Sequence, residues 1–321
     1  MKLVIPGGTG QVGTILARAF HRDGHEVVVL SRRPSPAPWR IVGWDARTVG
    51  QWATELESAD AVINLAGHSV NCRYGPENRR AILESRVEST RAVGTAISHV
   101  RRPPRVWLQA STATIYAHRY DVANDEAAGL IGGTEPDAPD TWRFSIEVAQ
   151  AWERALAEVP TPGTRKVALR SAMVMSPDRG GIFDTLLTLV RRGLGGTAAS
   201  GRQYISWIHY VDFVGALSWL IAHDDVDGPV NVSAPNPLPN ALFMRALREA
   251  WGTRIGLPAT AWMLEIGAFF MRTETELVLK SRRVVPGRLL EAGFVFEYPE
   301  WPAAARDLCR RSLEHPGQDI E

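Results

Sequence analysis

Three glycines set the first chemical question. In VIPGGTGQVG, residues 4–13, Gly7, Gly10 and Gly13 recur at every third position with Gly8 between them. Residues without a Cβ let the chain turn sharply and let a pyrophosphate approach the backbone, and free N–H groups at a helix start favour the anion. The loop stands between an apolar run, residues 2–6, and a helical pattern, residues 11–22, which is the placement a dinucleotide site requires. Gly7, Thr9, Gly10, Gln11 and Val12 are therefore candidates to meet phosphate, and Gly13 lets the helix pack closely on the strand.

The second apolar run ends in VVVLSRRP. A site for NAD usually carries an acid here to bind the ribose hydroxyls. This chain has Ser31, followed by Arg32 and Arg33. A carboxylate would repel a 2′-phosphate, whereas a guanidinium can hold one through paired hydrogen bonds. The cofactor expected is NADP(H). Asp45 is a candidate for the adenine edge. Leu65, Ala66 and Gly67 end the buried run DAVINLAG where cofactor can pass close, and Ala110, beside Ser111, is placed with them.

These groups need a scaffold. Strand-type runs fall at residues 2–6, 26–30, 40–44, 61–65, 105–109 and 166–174, and helical patterns at 11–22, 48–56, 77–99 and 142–157. The alternation, with strands apolar throughout, predicts an α/β fold: a Rossmann-type doubly wound parallel sheet covered on both faces. After residue 176 short strand candidates at 204–209 and 230–232 alternate with helices at 211–223 and 241–251. The expectation is an NADP-binding domain over 1–176 and a smaller substrate lobe with a C-terminal module over 177–321, sharing some sheet elements with the first.

Composition narrows the partners. A net charge of +1 over 321 residues gives no electrostatic case for nucleic acid or an anionic membrane. Cys72 and Cys309 form no disulfide framework or metal motif, and no HExxH spacing occurs. No apolar run reaches the length of a membrane span. The expectation is a cytoplasmic protein with a small-molecule substrate and no bound metal. The apolar stretch 255–272 is read as a cover over the substrate cleft or a homodimer contact, and residues 315–321 as a frayed end.

GGTGxxG, NLAG, QASTATIYA and WIHYVDF together resemble the extended short-chain dehydrogenase/reductases. CRYGPENRRAILESRVESTRAV, GPVNVSAPNP and SRRVVPGRLLEAGFVFEYP are similar to an atypical branch, the epimerase-family SDR39U1-like proteins, with a short C-terminal conserved module. The matching segments run from Gly7 to Pro299. The resemblance implies a Rossmann-type fold, NADP(H) and a substrate that is not settled. It assigns contact with the reacting oxygen to Thr112, with Ser111 alongside and Tyr116 downstream as catalytic candidates. It makes Arg86 of ESRVEST an internal salt bridge or a substrate-facing cation, and Arg86 is counted among the cofactor-binding candidates.

One departure matters. The usual acid is Tyr-x-x-x-Lys on the next helix, where i, i+4 spacing puts both groups on one face and lysine lowers the tyrosine pKa. With Glu153 as the landmark, Ser145 and Ala149 stand there. The only lysines are Lys2, Lys166 and Lys280, and the residues four before the latter two are Pro162 and Glu276. No such pair exists in the chain. Ile205 stands where nucleotide-sugar epimerases often carry arginine, with Arg202 three residues earlier. Replacement acid–base candidates lie just past the fifth strand: Tyr116, His118, Tyr120, Asp125 and Glu126. Two readings follow. One is an NADP(H)-dependent oxidoreductase or epimerase-like enzyme, its proton handled by Thr112 with Tyr116, by water, or by a group from the second lobe. The other is a non-catalytic NADP(H)-binding or sensor protein acting through a protein partner.

Overall fold

Alternate residues of a strand face opposite sides of its sheet, and in this chain both sets are apolar. The computed structural model describes residues 1–136, 138–260 and 274–314. β1 (Lys2–Pro6) lies inside a seven-stranded sheet, with β2 (Glu26–Ser31) and β3 (Arg40–Gly43) to one side. To the other lie β4 (Ala61–Asn64), β5 (Val106–Thr112), β6 (Arg165–Ser171) and β7 (Gly228–Val232). Every pairing is parallel. Leu3, Ile5, Val27, Val29 and Ile63 pack with Ile15, Leu16 and Phe20 of α1 (Gln11–Arg22) and Phe213 and Leu217 of α5 (Tyr210–Ala222). Val4, Val28, Leu30, Val62 and Trp107 face Ala92, Val93 and Ile97 of α2 (Pro76–His99) and Leu156 of α3 (Asp140–Glu158). Burying each large aliphatic side chain contributes roughly 1.5–3 kcal/mol, so the sheet is held from both faces. Strand order reverses between β1 and β4, and the carboxyl ends there form the crevice in which such sheets bind ligands.

Three local departures from the sequence expectation have physical causes. The helical pattern over 48–56 forms only a 3-10 stretch, Gln51–Leu56, because Asp45 accepts from the backbone N–H groups of Arg47 and Thr48 and closes a turn that competes with helix. The run 166–174 divides: Met173–Met175 leaves the sheet and pairs with Trp207–His209. The run 204–209 breaks at Ser206, whose hydroxyl donates to the Arg282 carbonyl (2.7 Å) and accepts from the Val284 N–H (2.9 Å).

Residues after 176 build a second apolar core from Phe183 and Leu187 of α4 (Ile182–Arg191), Phe243 and Leu247 of α6 (Asn240–Trp251), and Trp301 and Leu308 of the helix Trp301–Glu314. Trp301 stacks on Phe243 at 3.9 Å between centroids. The lobe still shares the main sheet, since β7 is its edge strand beside β6. Of the apolar stretch 255–272, residues 261–272 lie outside the described residues, as do 315–321. Among the described residues no helix is long and apolar enough to cross a membrane.

His209 braces the start of α5. It is fully buried, Nδ1 accepts from the Val211 N–H (3.3 Å), and Nε2 lies 3.2 Å from Asp307. A neutral imidazole satisfies both contacts, and Asp307 is also held by Arg310 and Arg311. Burial therefore outweighs the carboxylate and lowers the His209 pKa to about 4. As pH falls from 6.5, the ordinary value, toward 4, the unfolded chain takes up a proton that the native state refuses. This contribution is complete above that window and is lost through it. Urea midpoints should drop with pH across that range, and less steeply in His209→Gln.

Candidate active site

Gly7 ends β1 with φ +75°, and a Cβ there would lie 2.6 Å from the Ala66 Cα. The glycine loop and the NLAG turn are thus in backbone contact that no other residue permits. A Cβ on Gly13 would lie 2.4 Å from the Gly8 Cα, so α1 closes onto the loop. Gly10 caps α1 without a side-chain hydrogen bond, and no acid stands in the first turn. The first N–H groups of the helix are left for an anion. Gly7, Thr9 and Gly10, the strand-end residues Ser31, Arg32 and Arg33, and Leu65, Ala66 and Gly67 line one cleft of about 630 Å³. Leu30, Trp44, Ala46 and Ser85 complete it. Arg32 and Arg33 are exposed on its rim and pair with no acid among the described residues. The Ser31 hydroxyl fixes the turn between them, accepting from the Arg33 N–H and donating to the Arg33 carbonyl. These features fit a dinucleotide, with the arginines beside the place of its adenosine ribose.

Several predicted contacts belong elsewhere. Asp45 does not reach the cleft, because Arg47 N–H, Thr48 N–H and the Thr48 hydroxyl occupy its oxygens. Those bonds hold its pKa at about 2, and its neighbours Trp44 and Ala46 line the wall instead. Val12 packs into the core, Gly13 against Gly8, and the Gln11 amide against Gly181, so these three offer backbone rather than side chains. Ala110, between Gln109 and Ser111 in β5, lines neither cavity. Arg86 faces a second cavity rather than the nucleotide cleft.

That second cavity, about 250 Å³, meets the first at Gly67 and Arg86. The Arg86 Cζ lies 3.1 Å from where a Gly67 Cβ would be. β5 and the turn after it contribute Ser111, Thr112 and Thr114, and α3 contributes Phe144, Ser145, Val148 and Trp152. The stripe on α3 is thus both core and cavity wall. Thr112 Oγ1 accepts from the Thr114 N–H (3.1 Å), which leaves its own hydrogen for the cavity. Ser111 spends its hydrogen on Glu153 (2.6 Å).

Tyr116 is not in this cavity. The 3-10 turn Ala113–Ile115 carries it beneath the sheet. There its hydroxyl donates to Asn231 Oδ1 and accepts from Arg170 Nη1, each at 2.9 Å. Burial pushes its pKa up. Arg170 also forks onto Glu153, at 2.9 and 2.8 Å. The other candidates past β5 are likewise committed to architecture. Glu126 accepts from the N–H groups of Asn231 and Arg288, Asp125 from those of Ala127 and Ala128, and His118 from that of Ser281. Tyr120 lies under the Arg202 guanidinium, outside both cavities.

A buried carboxyl group from the C-terminal region stands in this cavity. Ser145 donates to Glu276 Oε2 at 2.5 Å, while Glu276 Oε1 has no hydrogen-bond partner among the described residues and lies 3.8 Å from Arg282 and 3.9 Å from Lys280. Burial raises the Glu276 pKa, with Arg282 and Lys280 opposing. Tyr74 stands against the same serine; burial pushes its phenol up to about 12 and hydrogen bonding to Ser145 opposes this. Lys280 is fully buried, donates to the Thr114 carbonyl (2.7 Å), and burial lowers it to about 8. Ala149 is sealed in the core. Sequence reasoning missed Glu276 and Tyr74. The available signal is the i, i+4 spacing of Glu276 and Lys280, which carries a carboxylate where the usual pair has tyrosine.

Known proteins agree with this architecture. The sequence profile described as the NAD dependent epimerase/dehydratase family matches residues 3–233, and a domain of unknown function, DUF1731, matches 259–308. Glu276, Lys280 and Arg282 therefore fall in the second region. The human "Epimerase family protein SDR39U1" is 32% identical over 312 residues, covering 96% of this chain and 99% of that protein. "Epimerase family protein SA0724" of Staphylococcus aureus is 28% identical over 322 residues, covering 96% and 98%. A crystal structure of the human protein, isoform 2, "with NADPH" superposes with a TM-score of 0.84 at 30% identity, covering 97% of this chain and 99% of that one. With the glycine cleft, the profile over most of its length and a full-length relative in accord, the chain belongs to the NAD dependent epimerase/dehydratase family and carries the DUF1731 module.

Proposed function

We propose that the protein is an NADP(H)-dependent oxidoreductase in which Ser145 and Glu276 take the part of the absent Tyr-x-x-x-Lys pair. The observation that carries this reading is their juxtaposition, in a cavity whose Arg86 packs against Gly67 of the nucleotide cleft. NADP(H) over NAD(H) is supported by Arg32 and Arg33 beside Ser31 and by the NADPH in the human relative. When bound, nicotinamide gives or takes a hydride at C4. The Thr112 hydroxyl holds the reacting oxygen. With Glu276 protonated, the hydrogen bond between them runs from its carboxyl group to the Ser145 hydroxyl, and Ser145 passes its proton to that oxygen and is resupplied by Glu276; the same steps run backwards when a hydroxyl is oxidised. A carboxyl group with a raised pKa suits this exchange near neutral pH.

A non-catalytic binding role is favoured by one observation, the missing tyrosine and lysine. It predicts NADPH binding with no turnover in a screen of carbonyl compounds. The cofactor reading has its own test. Losing a guanidinium–phosphate contact removes a charge-assisted bond of about 1.5–3 kcal/mol. Arg32→Ala with Arg33→Ala should weaken NADPH binding at least about tenfold and leave NADH binding unchanged, read by cofactor fluorescence. Tighter binding of NADH than NADPH by the unaltered protein would overturn it.

A further inference from the structure

Arg86 is a half-buried cation with an unfinished set of contacts. It sits within α2, with the Trp152 ring 5.0 Å from its Cζ. Its hydrogen bonds to the His68 and Ile82 carbonyls both leave from Nη1, at 3.0 Å each. Its Nε and Nη2 have no partner and it forms no ion pair among the described residues, so the internal salt bridge considered from sequence is not present there. Nε and Nη2 form the edge of a guanidinium that grips a carboxylate through two parallel bonds. Burial lowers the Arg86 pKa, but only to about 10, so the group stays charged at neutral pH.

The cavity wall has the matching imbalance. Its ionisable lining is Arg86 and Arg282 against the single carboxylate of Glu276, with the Tyr74 phenol neutral. Arg282 already faces Glu276 at 3.8 Å and donates to the Thr114 hydroxyl and the Glu276 carbonyl. Among the described residues Arg86 has no such counter-charge. A half-buried cation without one gains from a bound anion. The rest of the wall is apolar: Val70, Ile82, Phe144, Val148 and Trp152.

We infer that the substrate is a small monocarboxylate with a compact apolar body, its carboxylate held side-on by Arg86 and its carbonyl or hydroxyl presented to Thr112 and Ser145. This rests on the oxidoreductase reading and adds the substrate class. A carboxylate is preferred over a phosphate ester because the single open fork of Arg86 matches a monoanion, whereas a phosphate carries about −1.5 to −2 at neutral pH. The reaction keeps the carboxylate intact. In reduction, hydride adds to the carbonyl carbon, the C=O π pair moves onto oxygen and becomes the O–H bond with the proton that arrives through Ser145; NADPH is oxidised to NADP⁺ as the carbonyl is reduced.

Benzoate, benzamide and phenyl phosphate are the probes, titrated calorimetrically into NADPH-saturated protein. Benzoate should bind at least about tenfold tighter than benzamide, the effect of one charge-assisted fork. In Arg86→Met the two should bind alike. Arg86→Lys keeps the charge without the fork, and it too should bind benzoate more weakly; it carries the test where the methionine variant does not fold. Equal binding of benzoate and benzamide by the unaltered protein, a preference that survives in Arg86→Met, or phenyl phosphate binding tighter than benzoate would each overturn the inference. Cofactor binding is measured for every variant. NADPH binding without a benzoate preference removes the substrate class alone. A benzoate preference without NADPH-dependent turnover of any carbonyl carboxylate removes the oxidoreductase reading and leaves Arg86 as a carboxylate site.

Discussion

Glu276→Gln should lower turnover by about 10²- to 10⁴-fold, the range for loss of a positioned acid–base group, with NADPH affinity nearly unchanged. The amide matches the carboxyl group in shape and its oxygen can still accept from Ser145, but it cannot exchange a proton. Ser145→Ala should reduce turnover in the same direction, since it cuts the path between Glu276 and the reacting oxygen. The pH dependence has a defined sign. Burial raises the Glu276 pKa, so the protonated acid persists to higher pH than in an ordinary glutamate. Reduction should slow as pH rises through that raised value, and the limb should vanish in Glu276→Gln. Single-turnover NADPH oxidation measures both. Full activity in Glu276→Gln, with the limb retained, would remove Glu276 from the chemistry.

The second large effect is on stability. Arg170→Met should destabilise the protein by about 3–5 kcal/mol, because it leaves the Glu153 carboxylate half-buried without its fork. Among the described residues Glu153 keeps only the Ser111 hydroxyl as a hydrogen-bond partner, and Tyr116 loses the donor that faces its oxygen. Tyr116→Phe is milder, about 1–3 kcal/mol, since it leaves Asn231 Oδ1 without a donor. Urea unfolding gives both values. Tyr116→Phe should keep most of its turnover per folded molecule, the reverse of what a catalytic tyrosine would show. Replacing Glu153 and Arg170 together by glutamine and methionine should restore part of the loss, because no unpaired charge remains.

Local physics made part of this site legible. The glycine loop, Ser31 with its two arginines, and the Leu65–Gly67 turn each write their function within a few residues, and the structure gathers them into one cleft. Both faces of the sheet were readable because the strands are apolar at odd and even positions alike. Asp45 misled because a carboxylate two and three residues before free N–H groups closes a turn on itself, and nothing in its spacing separates that use from ligand contact. Tyr116 misled because its fate depends on one 3-10 turn that rotates it beneath the sheet, toward Arg170. Glu276 lies 131 residues from the serine it serves. No periodicity encodes a contact at that separation; only the folded second lobe brings the two together.

The placement of Glu276 bears on how such a protein changes over time. The cofactor loop and the proposed proton source lie in regions matched by two separate profiles, residues 3–233 and 259–308. Selection can therefore retune the acid, its lysine neighbour and the arginine that offsets it by altering a few positions of the second region, while the dinucleotide loop stays as it is. The whole region cannot be shed so freely, because its Leu289, Phe296, Trp301 and Leu308 complete the two apolar cores. On the proposed reading, a descendant that exchanged Glu276 alone would keep the sheet and the cleft and become a carrier or a sensor.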